Sequence, residues 1–301
     1  MTKESEFSMR CGFVGVVGRP NVGKSTLINA ILGTKVSITS PKPQTTRYCI
    51  LGIKTTDDAQ IVFIDTPGIN YNEKRALNRY MNRAAHGAIE DVDLLLFVVE
   101  ALKWTAQDER VSRRILSSGR RAIVVLNKVD NVRPRSKLLP FIEETAGRLE
   151  FEDIVPVSAR RGDNLDRLEA MLIERLPPGE RLFPEGMVTD RGEKFIAAEL
   201  IREKLIHRLE QEVPYRLSVE IEEMSDHRGA LHVGAVIWVE RQGQKGIVIG
   251  RGGEMLKQVG TSARRDMRKL FGRAVHLNLW VKVKEGWSDS ERALAKLGYI
   301  D

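Results

Sequence analysis

The chain has 301 residues, 42% of them hydrophobic and 30% charged, with a net charge of +7. That length suggests about two domains of ~100–200 residues each, and the composition is globular rather than disordered or fibrous. Cys11 and Cys49 are too few for a disulfide framework and lack Cys-x-x-Cys spacing, the histidines never fall at the i, i+4 spacing of a helical zinc site, and the apolar run Leu94–Val99 is far shorter than the ~20 residues of a membrane-spanning helix. The polar start Met1–Ser8 lacks the basic and apolar regions of a secretory signal, so the expected compartment is a reducing cytoplasm.

In chain order, Cys11–Val17 is a short apolar strand pattern and Lys24–Leu32 a helix ended by Gly33. Ile50–Thr55 and Gln60–Asp65 flank Asp57 and Asp58 as a hairpin. Helix patterns follow at 73–89, 107–117, 134–149 and 164–176, separated by apolar runs at 93–99, 121–126 and 153–157. Those runs are rich in Val, Ile and Leu on both faces, as strands of a buried parallel sheet are. The expected first domain is therefore α/β, a mostly parallel six-stranded sheet over residues 1–176. Leu176–Gly186 then holds three prolines and two glycines, so neither helix nor strand runs through it. A linker is expected at 177–189. Beyond it, over 190–301, the order becomes α-β-β-α-α-β: a helix near 190–211, strands near 216–223 and 231–240, two helices around Gly250–Gly253, a strand near 275–283, and a short tail helix from Glu291.

Four motifs fall at strand ends. Gly18-Arg19-Pro20-Asn21-Val22-Gly23-Lys24-Ser25 matches G-x-x-x-x-G-K-[ST] between a strand and a helix that continues with Thr26. Its glycines let backbone amides converge on phosphate oxygens beside a helix N-terminus. Lys24 would reach the β- and γ-phosphates and Ser25 would ligate Mg²⁺. Asp65-Thr66-Pro67-Gly68 follows the next strand; its carboxylate suits Mg²⁺, and Gly68 can offer an unobstructed amide to the γ-phosphate. In Asn127-Lys128-Val129-Asp130, the Asp130 carboxylate can accept two hydrogen bonds from guanine, a donor pair that adenine lacks. Asn127 would brace the loop, the Lys128 stem would lie over the base, and the amides of Ser158 and Ala159 could meet the guanine oxygen in the crevice at the strand ends.

The second module is basic. Residues 241–273 carry nine Lys or Arg and two acids, a local excess equal to the whole chain's net charge. Gly250-Arg251-Gly252-Gly253 is a G-x-x-G loop between helices, the element with which KH modules clamp about four nucleotides of RNA backbone. Lys245, Lys257, Arg264 and Arg265 would extend the positive field, and Ile247, Ile249, Met255 and Leu256 could floor a groove for unstacked bases. Taken alone, G-x-x-G is an ordinary turn; its place in the α-β-β-α-α-β order makes it resemble a type II KH domain. Trp280 and Trp287 are expected to pack rather than to stack on bases.

The four motifs over residues 11–176 resemble those of the Ras-like P-loop GTPases. That resemblance implies binding of GTP and GDP with Mg²⁺, a mobile switch over Thr34–Arg47, and a threonine that binds Mg²⁺ and senses the γ-phosphate. Gln44-Thr45-Thr46-Arg47 offers two candidates, with Thr46 favoured and Thr45 still open. Lys24, Thr46 and Gly68 are the implied catalytic residues, and Ser25, Thr46 and Asp65 the implied metal ligands. Ras-type enzymes place a water-orienting glutamine after Asp-x-x-Gly; here Ile69 stands there, which implies slow intrinsic hydrolysis and a water oriented by another group. Asn21 sits where related GTPases hold K⁺. A Ras-like domain followed by a type II KH domain resembles the Era family of bacterial ribosome-assembly GTPases. The resemblance extends through Ile38-Thr-Ser40, Glu73-Lys-Arg75 and Thr189-Asp-Arg191 to Leu279–Trp287. It implies a GTP-hydrolysing switch that binds 16S rRNA near its 3′ end and assists assembly of the small ribosomal subunit. It further implies peripheral association at the inner membrane; the expected state is a monomer, which the sequence itself does not fix. A competing reading is an RNA-binding scaffold with an inert nucleotide domain.

Overall fold

A computed structural model of the chain describes residues 9–68, 76–148 and 151–297. It divides into two compact units: Met1–Ser37, Thr46–Tyr71 and Met81–Asp190 in the first, and Ile38–Thr45, Asn72–Tyr80 and Arg191–Asp301 in the second.

In the first unit the elements run β1 (Arg10–Val17), α1 (Lys24–Leu32), β2 (Ile50–Thr55), β3 (Ala59–Asp65), α2 (Ala76–Glu90), β4 (Leu94–Glu100), α3 (Ala106–Ser118), β5 (Ala122–Asn127), α4 (Leu138–Ala146), β6 (Asp153–Pro156) and α5 (Leu165–Arg175). The strands form one sheet in the order β2-β3-β1-β4-β5-β6, parallel except for β2. Central strands such as Leu94–Val99 and Ala122–Leu126 are buried on both faces because helices cover both. On one face Leu27, Ile28, Leu168 and Leu172 of α1 and α5 close the core; on the other, Ala85, Ile89, Val111 and Ile115 of α2 and α3 do so. The parallel register sets Val16 beside Asp65 and Glu100 beside Asn127. The polar residue that ends each apolar run therefore reaches the same sheet edge.

The segment expected as a linker is not free of the first unit. Cys11 N donates to Pro177 O at 3.0 Å and Ile53 N to Val188 O at 2.9 Å. The fully buried Gln60 side chain accepts from the amides of Leu182 and Phe183 at 2.8 and 2.9 Å and donates to Phe183 O at 2.9 Å. Proline and glycine stop regular structure here, but the freed backbone groups find partners on the sheet.

The second unit runs α6 (Glu193–Arg208), β7 (Leu217–His227), β8 (Ala230–Val239), α7 (Gln242–Ile249), α8 (Glu254–Phe271), β9 (Ala274–Val283) and α9 (Glu291–Lys296). Its sheet has the order β7-β8-β9, with β7 antiparallel and β9 parallel to β8. Leu200, Ile201, Leu205, Val259, Ala263 and Met267 pack on Leu231, Val233, Ala235 and Ile237 to make the core. β7 runs four residues past the expected end at 223. Its charged tail Glu222–Asp226 hides the strand pattern, but a two-residue turn at Arg228 and Gly229, both with positive φ (50° and 78°), extends the hairpin ladder.

Candidate functional site: nucleotide pocket and nucleic-acid groove

The loop between β1 and α1 owes its shape to glycine. Gly18 has φ 149° and Gly23 φ 100°; a Cβ would fall 2.4 Å from Val98 O at the first and 2.4 Å from Asn127 Nδ2 at the second. Lys24 at its end is buried, and Nζ donates to Gly18 O at 3.0 Å and Arg19 O at 3.2 Å. Burial pulls its pKa down to about 8, against the opposing pull of the Asp65 carboxylate. An ammonium held by its own loop's carbonyls gains a stronger partner when an anion enters the loop.

Asp65 ends β3, fully buried, with no hydrogen bond to either carboxylate oxygen. Burial raises its pKa; the neighbouring Ser25, Lys24, Ser37 and Thr46 pull the other way. Across from it Ser25 Oγ and Thr46 Oγ1 lie 2.9 Å apart. An orphaned carboxylate facing two hydroxyls is a hard-oxygen donor set, and it fits Mg²⁺, which is held by one or two protein oxygens together with phosphate and water. Between the two threonine candidates, the geometry distinguishes clearly: Thr45 Oγ1 is turned to Lys42 O at 2.7 Å. Thr66 Oγ1 donates to Val16 O at 2.8 Å and ties the Asp-Thr-Pro-Gly turn to β1. At Gly68 a Cβ would fall 2.9 Å from Pro20 Cγ, so only glycine lets this turn lie against the phosphate loop. Ile69 and Glu73-Lys-Arg75 fall outside the described residues.

Asn127 links three loops. Its Nδ2 donates to Val22 O at 2.8 Å, and its Oδ1 accepts from Lys128 N at 2.8 Å and Ala159 N at 3.0 Å. Ser158 Oγ donates to Asp130 Oδ1 at 2.8 Å and so aims the carboxylate expected to read guanine. Ser158 N donates to Asp163 O at 3.1 Å and Ala159 N to Asn127 Oδ1 at 3.0 Å, so both amides, expected to face the base, take internal partners in this structure and order the loop.

Within the phosphate loop, the Arg19 guanidinium lies in an acidic clasp: Nε meets Asp108 at 3.0 Å and Nη2 meets Glu100 at 3.1 Å. Glu100 also accepts from Lys128 Nζ at 3.1 Å, and Lys128 Nζ donates to Asn21 O at 2.7 Å. Burial raises the Glu100 pKa, but Lys128 and Arg19 outweigh it and hold the carboxyl below its usual range. Glu100 thus joins the phosphate loop to the base loop. Its only signal in the sequence is a lone carboxylate closing an apolar strand.

Of the expected switch, Ile38–Thr45 counts with the second unit. There Thr39 N donates to Glu203 Oε1 at 3.1 Å, and Arg202 Nη2 bonds Thr45 O while pairing with Glu199.

In the second unit, α7 and α8 are joined by a loop with φ 75°, 59° and 80° at Gly250, Gly252 and Gly253. A Cβ on Gly250 would meet Met255 Cβ at 2.7 Å, whereas Gly252 and Gly253 face open space. From this loop runs a groove of about 460 Å³ lined by Gly253, Leu256, Lys257, Gly260, Thr261 and Arg264 on one wall and Leu277, Asn278 and Leu279 of β9 on the other. Of the expected apolar floor Leu256 lines the groove, whereas Ile247 is exposed and neither Ile249 nor Met255 lines it; Leu277 and Leu279 of β9 join Leu256 instead. Arg251 is exposed at the loop, and Arg265, outside the groove lining, pairs with Asp266 at 3.7 Å.

A phosphate loop, a buried metal-type carboxylate and a guanine-type acceptor on one sheet edge, with a G-x-x-G groove in a second module, define a P-loop GTPase joined to a KH domain. The family model for 50S ribosome-binding GTPases matches residues 13–128, and that for KH domains matches 212–288. The chain belongs to the Era GTPase family. It is 52% identical over 292 residues to GTPase Era of Pseudomonas aeruginosa, covering 97% of this chain and 96% of that protein. It is 51% identical over 301 residues to GTPase Era of Azotobacter vinelandii, covering all of both. Two solved structures superpose with TM-scores of 0.94 at 41% identity over 97% of this chain and 99% of theirs: Era in complex with MgGDPNP and nucleotides 1506–1542 of 16S ribosomal RNA, and a point variant of Aquifex aeolicus Era bound to GDP·AlF4⁻.

Proposed function

We propose that this chain is a GTP-dependent switch that binds 16S rRNA near its 3′ end and assists maturation of the small ribosomal subunit. The observation that carries this is the coexistence, in one chain, of the orphaned Asp65 beside Ser25 and Thr46 and the open Gly252–Gly253 loop beside a groove. The full-length likeness to an Era that holds both MgGDPNP and 16S nucleotides supports it. The GTPase domain is taken as 1–176, the linker as 177–189 and the KH domain as 190–301.

Ser25, Thr46 and Asp65 would hold Mg²⁺, which when bound supplies positive charge against the β- and γ-phosphate oxygens. Lys24 exchanges its loop carbonyls for phosphate, and the Gly68 amide meets the γ-phosphate where no side chain obstructs it. The Ile69 side chain carries no group that can hydrogen-bond the attacking water, so hydrolysis is slow until another group orients it. Asn21, at the mouth of the phosphate loop, is a candidate K⁺ ligand. The protein acts as a cytoplasmic monomer; its peripheral association with the inner membrane is supported by family resemblance, and no helix among the described residues is long and apolar enough to cross a membrane.

Single-turnover hydrolysis of GTP with and without small ribosomal subunits, in K⁺ and in Na⁺ buffers, tests the reading. Acceleration by subunits is expected; none would favour the scaffold. Equal rates in the two salts would remove K⁺.

A further inference from the structure

β9 is an edge strand, and its two faces do different things. Leu277 and Leu279 point to the helices and line the groove. The alternate residues His276, Asn278, Trp280 and Lys282 fall on the outer face of the sheet, opposite His232, Gly234, Val236 and Trp238 of β8. Asn278 belongs to both, since it also lines the groove.

That outer face is aromatic. Trp280 is 49% exposed, whereas Trp287 is fully buried. The Trp280 ring lies over Gly234, where a Cβ would stand 3.4 Å from Cζ3 and 3.8 Å from Cη2, so glycine on β8 makes room for an indole held against the sheet. Further along the same face, beyond Asn278, His276 and His232 stack with centroids 4.7 Å apart and planes 30° apart. Trp238 is already engaged, with Nε1 on Glu220 and the ammonium groups of Lys282 and Lys284 over its ring at 5.7 and 5.6 Å. β9 has no acidic residue; of the carboxylates nearby, Glu222 and Asp226 are paired with Lys282 and Arg273, while Glu223 is exposed beside Gly234.

We propose that the outer face of the second sheet, centred on Trp280 and His276, is a base-stacking surface that takes the single-stranded RNA continuing past the edge of β9 from the groove. The expectation that Trp280 simply packs is thereby revised. The physical case is continuity: three consecutive residues of one strand line the groove, and the next residue on either side presents a π face to solvent. A groove with a G-x-x-G loop grips about four nucleotides, so a longer strand must leave it, and unpaired bases stack on exposed aromatic rings regardless of their identity. Sheet-borne aromatics are used in this way by other RNA-binding modules. The inference rests on the RNA-binding reading above and adds a second contact to it.

The test uses the full chain and two single-stranded RNAs cut from the 3′ region of 16S rRNA, one of about four nucleotides and one of about twelve. Wild type is expected to bind the longer RNA more tightly. Trp280→Ala should lose at least about tenfold on the longer RNA and nothing on the shorter; Trp280→Phe should keep most of the gain. His276→Ala, an exposed change that leaves the core intact, should lose about threefold on the longer RNA alone. Unchanged binding of the longer RNA by Trp280→Ala and His276→Ala overturns the proposal, as does shielding of Trp280 by a protein rather than by RNA in subunit-bound material. Failure of wild type to bind either RNA would instead overturn the RNA-binding reading itself.

Discussion

The Asn127 side chain donates to the Val22 carbonyl at 2.8 Å across 105 residues of sequence. Through this bond the loop proposed to meet the base and the loop proposed to meet the phosphates share one anchor. Asn127→Ala removes that bond and leaves the amides of Lys128 and Ala159 without their acceptor. With about 1 kcal/mol for each bond, guanine-nucleotide affinity should fall at least about tenfold and Tm by several degrees. Calorimetric titration with GDP and thermal melting check both.

Asp130 and Ser158 should separate in magnitude. Asp130→Asn removes the carboxylate proposed to accept from the base and should weaken GTP binding by about a hundredfold or more, with preference moving toward a base that has an acceptor where guanine has its amine. Ser158→Ala only releases the carboxylate from its hydroxyl partner and should cost about fivefold. Retained GTP selectivity in Asp130→Asn would remove this residue from the base site.

Glu100 makes stability depend on acid. Its folded pKa lies below the ordinary 4.5, so its charged form stabilises the fold above the unfolded value, and that contribution is lost as pH falls through the folded one. Glu100→Gln should therefore melt below wild type at pH 7, with the gap closing in acid. The variant should also release nucleotide faster, since Arg19 and Lys128 lose their common partner. A Tm gap that does not change with pH would place the effect elsewhere.

Arg251→Asp combined with Gly252→Asp adds two negative charges and a side chain where phosphate must approach. RNA affinity should fall at least about tenfold while GTP affinity stays within twofold. Filter binding at fixed salt, paired with nucleotide titration, reads the two independently.

Sequence alone determined the element order, because apolar period and glycine or proline punctuation are local properties of the chain. It also placed the residues expected to meet phosphate, metal and base at strand ends. A parallel sheet then carried Asp65, Glu100 and Asn127 to one edge without further information. What it could not assign were partners distant in sequence. Arg19 meets Asp108 and Glu100, 89 and 81 residues away, and nothing near Arg19 marks it as engaged by acids. The groove floor likewise passed from Ile249 to Leu277 and Leu279, since the rotation of α7 and the register of β9 decide which apolar side chains reach the core. Backbone conformation answers to neighbours along the chain, whereas side-chain pairing answers to neighbours in space, and only the folded sheet order creates those.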